Sequence, residues 1–145
     1  MSDQGQPDEL QALAYSARVL REYLSDLVSR ETLLSRLVAE HRAALESIEN
    51  LPDGEGTVTC MMPLGGGVSV PASVSGSAKY LVAVGAGVFV RKGRGETVEF
   101  LNRRIRELED ALRDVSGQRR KIEEELARLE DRINSLYQGG PAGTA

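Results

Sequence analysis

The sequence lacks most of what builds a self-contained reactive site. Of its 145 residues one is cysteine, Cys60, one is histidine, His41, none is tryptophan, and aromatics make up 4%. A lone cysteine excludes an internal disulfide framework and a cysteine-only zinc site. One histidine beside it excludes a histidine-rich metal centre. No apolar run approaches the ~18 residues that a bilayer-spanning helix needs. The opening Met1-Ser2-Asp3-Gln4-Gly5-Gln6-Pro7 is polar and acidic, unlike a secretory leader, so the expected address is the cytoplasm, with no membrane partner. An excess of one charge sign is missing too: 18 Lys and Arg against 22 Asp and Glu leave a net charge of −4. That argues against a nucleic-acid partner, which calls for a basic face. The length suits one domain, but two aromatic-poor flanks around a Gly/Val-rich middle argue against one compact globule.

What is present divides into three. Residues 8–49 are charged and Leu/Ala-rich, residues 56–90 carry one charge, Lys79, and residues 96–138 are charged and Leu/Ile-rich again. Glycine-rich breakers join them, Pro52-Asp53-Gly54-Glu55-Gly56 and Lys92-Gly93-Arg94-Gly95. The spacing predicts a coiled-coil helix over 8–51, with Pro7 at its start, and a second over 96–138. Residues 1–7 and 139–145 are expected to be flexible ends. Steps of three and four from Leu10 reach Ala17, Leu24, Glu31, Val38 and Leu45, with Leu13, Leu20, Leu27, Leu34, His41 and Ile48 between them. Ten of these twelve are apolar, a heptad seam rather than a broad face. The second seam runs from Val98 and Leu101 to Ile133 and Leu136, and only Arg119 breaks it.

The two seams mirror each other. Leu10 pairs with Leu136, Leu13 with Ile133, and so on to Ile48 with Val98, through all twelve layers. A chain that goes out, turns and returns antiparallel produces this mirror. Glu31 and Arg119 fall in adjacent layers, which predicts a diagonal ion pair that fixes the register. Each arm of ~39 residues would be roughly 58 Å long at 1.5 Å per residue.

The middle predicts four short strands in two hairpins, over 57–91. Val58, Cys60, Met62 and Leu64 alternate with small or polar neighbours, as do Val68, Val70, Ala72 and Val74. Tyr80, Val82 and Val84 follow, then Val88 and Val90. Gly65-Gly66-Gly67, Ser75-Gly76-Ser77 and Gly85-Ala86-Gly87 mark the turns. Pro71 lacks an N–H and belongs at an open edge or a bulge. So small a β unit, with neither disulfide nor metal, needs other chains to complete it.

Chemistry finds little purchase. The glycine runs lack the Gly-Lys-Ser/Thr and the following helix of a phosphate loop, and no βαβ unit surrounds them, so hairpin turns are preferred. Cys60 and His41 lack a base-orienting or oxyanion motif, and small buried packing roles are preferred. The Arg103-Arg104-Ile105-Arg106 and Arg119-Arg120-Lys121 runs are interleaved with acids and read as solvated helix faces. Leu10, Leu13, Ile133 and Leu136 close the seam at one end, with Tyr15 and Tyr137 outside it. These layers either simply close the coil or, by fraying, offer apolar groups to a partner. No enzymatic activity and no cofactor are expected.

Helix, two hairpins and helix, with Pro63-Leu64-Gly65-Gly66-Gly67 in the first hairpin and Val82-Ala83-Val84-Gly85-Ala86-Gly87-Val88 in the second, resembles the archaeal prefoldin alpha-subunit family over about residues 8–138. Two hairpins rather than one is the mark of the alpha class. The resemblance implies an α+β fold, a long antiparallel coiled-coil hairpin whose two β-hairpins join a multi-subunit β-barrel platform. It implies an ATP-independent holdase built from two alpha and four beta subunits. Such a holdase binds unfolded polypeptides at the arm tips and passes them to a group II chaperonin. Carried over by position, the platform contacts are Val58, Cys60, Met62, Leu64, Val68, Val70, Val74, Tyr80, Val82, Val84, Val88 and Val90. The client contacts are Leu10, Leu13, Tyr15, Ile133, Leu136 and Tyr137. The Met61-Met62 pair and the preference for Arg over Lys have no counterpart in that pattern. The alternative reading is a structural or regulatory coiled-coil scaffold that binds one folded partner.

Overall fold

The computed structural model describes residues 5–139. Two helices, α1 (Gly5–Asn50) and α2 (Arg94–Gln138), flank strands β1 (Thr57–Gly65), β2 (Val68–Ser75), β3 (Tyr80–Gly85) and β4 (Val88–Lys92). The helix starts differ from the sequence expectation by two or three residues. Helix α1 begins at Gly5, because a proline within the first turn costs no intrahelical bond: the leading N–H groups have no partner there anyway. Helix α2 begins at Arg94, where the Gly93 carbonyl accepts from the Thr97 N–H at 3.0 Å and from Thr97 Oγ1 at 2.7 Å. The expected flexible ends at 1–4 and 140–145 lie outside the described residues.

The chain forms two compact units. One takes in α1 up to Arg36 and α2 from Glu109, and the other is Leu37–Leu108. In the first unit every seam position is buried or half-buried, and along α1 the remaining described side chains are exposed. Ala17, Leu27 and Leu126 are the most deeply covered. The ties across the seam are Glu9–Arg132, Arg21–Glu130, Tyr23–Gln118 and Glu31–Arg119. From Glu9 to Glu31 on α1 the partners move from Arg132 back to Gln118 and Arg119 on α2, so the helices run antiparallel. Each tie lies within about five residues of the mirrored pairing, the reach of flanking side chains on neighbouring turns.

The second unit holds the near parts of both helices and all four strands. Val38, Ile48 and Ile105 continue the seam as buried residues. Arg94 closes the end of α1: its Nη1 donates to the Leu51 carbonyl at 2.8 Å, and its Nε lies 3.9 Å from the Asp53 carboxylate. A helix C-terminus leaves its last carbonyls without partners, and a cation there also suits the helix dipole.

The strands form two separate antiparallel pairs, β1–β2 and β3–β4. Both hairpins turn in the same way. Gly65, Gly66 and Gly67 have φ of 104°, 58° and 79°, and Gly85, Ala86 and Gly87 have 120°, 51° and 74°. A bulge at Gly65 or Gly85 precedes each two-residue turn. Two positive φ values in succession match the strands' twist, which is why glycine dominates here. Ala86 is the one described non-glycine residue that accepts a left-handed backbone.

Gly76, between the hairpins, is held for a different reason. Its N–H donates to the Gly56 carbonyl at 2.9 Å, and its carbonyl accepts from the Gly54 N–H at 3.2 Å. A Cβ there would stand 2.8 Å from the Gly54 carbonyl oxygen and 3.0 Å from that of Pro52. Backbone cannot swing aside as a side chain can, so Gly76→Ala is expected to cost about 1–3 kcal/mol by overpacking. Gly117, inside α2, meets nothing within 4 Å of a built Cβ. Gly117→Ala is therefore expected to gain about 0.5–1 kcal/mol of helix stability. Opposite shifts in melting temperature for the two variants check the pair, and a stabilised Gly76→Ala would contradict it.

Candidate functional site

The register of β1 and β2 sorts their side chains into two unlike faces. Val58 lies opposite Val74, Cys60 opposite Ala72, and Met62 opposite Val70. The other face sets Thr57 against Ser75, Thr59 against Ser73, and Pro63 against Ser69. One side is apolar and the other carries hydroxyls, because the side-chain period along a strand is two. On the apolar side Val58, Cys60, Ala72 and Val74 are half-covered, while Met62, Leu64, Val68 and Val70 are exposed. Met61, 63% exposed, stands on the opposite side across from Pro71. With only two strands in the sheet, β2 keeps one open edge.

The second hairpin is apolar on both faces. Val82 pairs with Val90 on one, and Ala83 with Phe89 on the other, beside Leu81. Val82 is buried at 8% exposure, which sets it apart from the other expected platform residues. It lies in a cleft of about 270 Å³ with Tyr80, Ala44 and Ile48 from α1, and Thr97, Phe100 and Leu101 from α2. Val82 thus belongs to the core of its own chain, and Tyr80, half-buried, lines the same cleft. Lys92 Nζ sits 6.0 Å from the Phe100 ring centroid, within reach of a cation–π contact. Val84, Val88 and Val90 are exposed, as are Leu81 at 67% and Phe89 at 61%. Leu81, Phe89 and Met61 are exposed on the faces opposite the expected platform residues. The unbroken apolar run Tyr80-Leu81-Val82-Ala83-Val84 was the signal available, since a strand covered on both sides does not alternate.

Neither Cys60 nor His41 stands in a catalytic setting. His41 spends its Nδ1–H on the Leu37 carbonyl of its own helix at 2.7 Å. Cys60 is a half-buried free thiol across from Ala72. Among the described residues no group of three or more His, Cys, Asp or Glu is placed to hold a metal ion, and no helix is long and apolar enough to cross a membrane.

In the unit made of helix alone, the expected end layers divide by depth. Leu10, Leu13, Ile133 and Leu136 are half-buried in the seam. Tyr15 at 61% and Tyr137 at 69% stand outside it. The diagonal ion pair is present: Arg119 Nε donates to Glu31 Oε2 at 2.5 Å, and Arg119 Nη1 also donates to Glu123 at 2.9 Å. Glu123 and then Glu31 raise the arginine pKa above its ordinary value, against a smaller opposing effect of burial, so the charge is permanent. A permanent charge in an apolar seam tolerates only a register that supplies its partner. Arg119→Leu is therefore expected to lower the melting temperature by stranding Glu31, while Glu31→Leu with Arg119→Leu restores or exceeds the original value. A stabilised single variant would contradict the register role.

Known proteins match this arrangement closely. A family model described as "Prefoldin subunit" matches residues 20–139. A prefoldin subunit alpha of Archaeoglobus fulgidus is 34% identical over 126 residues, covering 82% of this chain and 92% of its own. That of Nitrosopumilus maritimus is 30% identical over 131 residues, covering 90% of each. A crystal structure of the prefoldin beta subunit from Thermococcus strain KS-1 superposes with a TM-score of 0.65 at 23% identity, over 88% of this chain and 90% of that one.

Proposed function

This chain belongs to the prefoldin family, and from that premise we propose that it is the alpha subunit of an ATP-independent holdase. In this reading it works in the cytoplasm. It joins beta subunits, two alpha with four beta, through its hairpins, keeps unfolded polypeptides from aggregating, and passes them to a group II chaperonin. It needs no cofactor and catalyses no reaction.

The observation that carries the reading is where the chain leaves apolar surface uncovered. Met62, Leu64, Val68 and Val70 on the first hairpin, and Leu81 and Phe89 on the second, stand open to solvent within the single chain. An isolated two-stranded hairpin is marginal in water, and open strand edges invite pairing with another chain. These faces are what a shared barrel would cover. Tyr15 and Tyr137 supply separate apolar groups on the paired helices, and many weak contacts of this kind hold an unfolded chain by multivalency. Val82 is left out of the shared surface, since its own chain already covers it.

Two measurements test the reading on the chain co-expressed with a one-hairpin beta subunit. The first is the light-scattering mass of Val70→Lys. A charge on the uncovered face is expected to reduce the complex to smaller species while the helical circular dichroism stays unchanged. An unchanged mass would remove the first hairpin from the assembly surface. The second is scattering from a chemically unfolded protein diluted without ATP. The intact complex is expected to suppress the signal, and Tyr15→Glu with Tyr137→Glu is expected to lose most of that suppression. Suppression by neither complex would favour the scaffold that binds one folded partner.

A further inference from the structure

The net charge of the chain lies in one unit. Among the described residues, the unit built from α1 up to Arg36 and α2 from Glu109 has 13 acids and 10 bases, whereas Leu37–Leu108 has eight of each. Exposed apolar groups within the acidic unit are also one-sided. Tyr15, Val19, Tyr23, Val28 and Leu33 are all on α1, and α2 adds only Tyr137. Two of the α1 residues line a half-open groove of about 330 Å³. Tyr15, Ser16, Val19 and Leu20 form one wall, and Glu125 and Leu129 form the other.

The groove has a polarity. The Arg18 guanidinium lies 5.4 Å from the centroid of the Tyr15 ring, so that ring accepts a cation already. Arg21 is tied to Glu130 at 3.2 Å. Glu125, on the opposite wall, is exposed and has neither an ion pair nor a hydrogen bond among the described residues. Apolar walls with one free carboxylate, in a unit of net negative charge, suit an aliphatic side chain that has a cation beside it. The volume is at the small end of ligand sites, enough for one or two side chains rather than a folded surface.

We propose that this groove binds segments of unfolded polypeptide in which a large apolar residue is flanked by lysine or arginine. The apolar side chain enters between Val19 and Leu129, and the flanking cation pairs with Glu125. The proposal rests on the holdase reading and deepens it, since it names the class of segment that one part of the chain selects. Basic segments gain in addition from the field of the whole unit, which steers cations toward it.

Fluorescence anisotropy on the full chain at about 0.15 M ionic strength tests it with three short unstructured labelled peptides. One carries leucine between lysines, one leucine between glutamates, and one serine between lysines. The lysine-flanked leucine is expected to bind about fivefold more tightly than either of the others, in the range of one exposed ion pair plus its field. Glu125→Lys is expected to abolish or invert the preference between the first two peptides. Val19→Asp is expected to weaken the lysine-flanked leucine severalfold, and both variants change exposed positions and leave the seam intact. Equal binding of all three peptides, or a preference unmoved by Glu125→Lys, overturns the proposal. Binding of the serine peptide as tightly as the leucine peptide overturns it too, since charge alone would then suffice. A fall in the light-scattering mass of the peptide-free chain on Val19→Asp would place a second copy in the groove and equally overturn it. Aggregation suppression measured in parallel keeps the two readings apart. Suppression without peptide preference retains the holdase and removes the groove, while peptide preference without suppression does the reverse.

Discussion

A seam between two helices buries two positions in seven on each helix and leaves the other five to solvent. Most of what this chain does follows from that limit. With so little covered, no broad core can correct a mispaired register, so register has to be fixed locally. Each unit has its own device. In one, Arg119 meets Glu31 inside the seam; in the other, Arg94 reaches from the first residue of α2 to the Glu49 carbonyl in the last turn of α1 and the Leu51 carbonyl just past it. Both are arginines acting through hydrogen bonds with a fixed geometry, which a flexible ammonium would meet less well. A heptad slip would separate Arg119 from Glu31, leaving the arginine only Glu123 of its own helix and the glutamate without its cross-seam partner.

The same limit explains why the hairpins differ. A strand pair with one apolar and one hydroxyl face needs one cover, and β1–β2 receives none from its own chain beyond the half-covered residues at its root. A pair that is apolar on both faces needs two. The chain supplies one of them, where Val82 packs among Ala44, Ile48 and Leu101, and leaves Leu81 and Phe89 for another. The second hairpin is thus anchored in its own chain, whereas the first is tethered by the crossing at Gly76. That crossing is backbone against backbone, and a residue without a side chain is the only kind that fits it.

Much of this was written in the sequence, and what was missed was missed for definite reasons. Seam, mirror, turns and the diagonal pair of Glu31 with Arg119 all follow from spacing, because helix and strand periods are set by the backbone and not by context. The helices start earlier than the spacing predicts because the first turn of a helix takes in residues before Pro7 in α1 and admits Gly95 in α2. Val82 shares its face with Val84 and Val90, and alternation identifies a face but not whether its own chain covers it. Leu81 and Phe89 lie on the opposite face, which alternation of Tyr80, Val82 and Val84 does not mark. For the groove beside Tyr15 the mirrored seam sets Ala17 against Leu129, but nothing in the spacing marks which flanking side chains leave a gap. Its two walls are more than a hundred positions apart in the chain, and only the antiparallel return brings Leu129 and Glu125 to Val19.

A protein that holds unfolded chains without a nucleotide has to release them by the weakness of each contact. This places an upper bound on any one site. A deep, enclosed apolar pocket would bind too long, and a flat charged face would select nothing. Shallow grooves between a pair of helices meet the requirement by construction, since the narrow seam prevents walls from closing on three sides. In the proposed holdase reading, affinity then comes from the number of chains that the hairpins would bring together, each contributing contacts that break singly. In that reading the apolar surface on the hairpins and the groove on the helices serve one end. Hairpins that satisfied their own faces would, in that reading, leave the chain alone, with a groove that holds one short segment but not a whole unfolded chain.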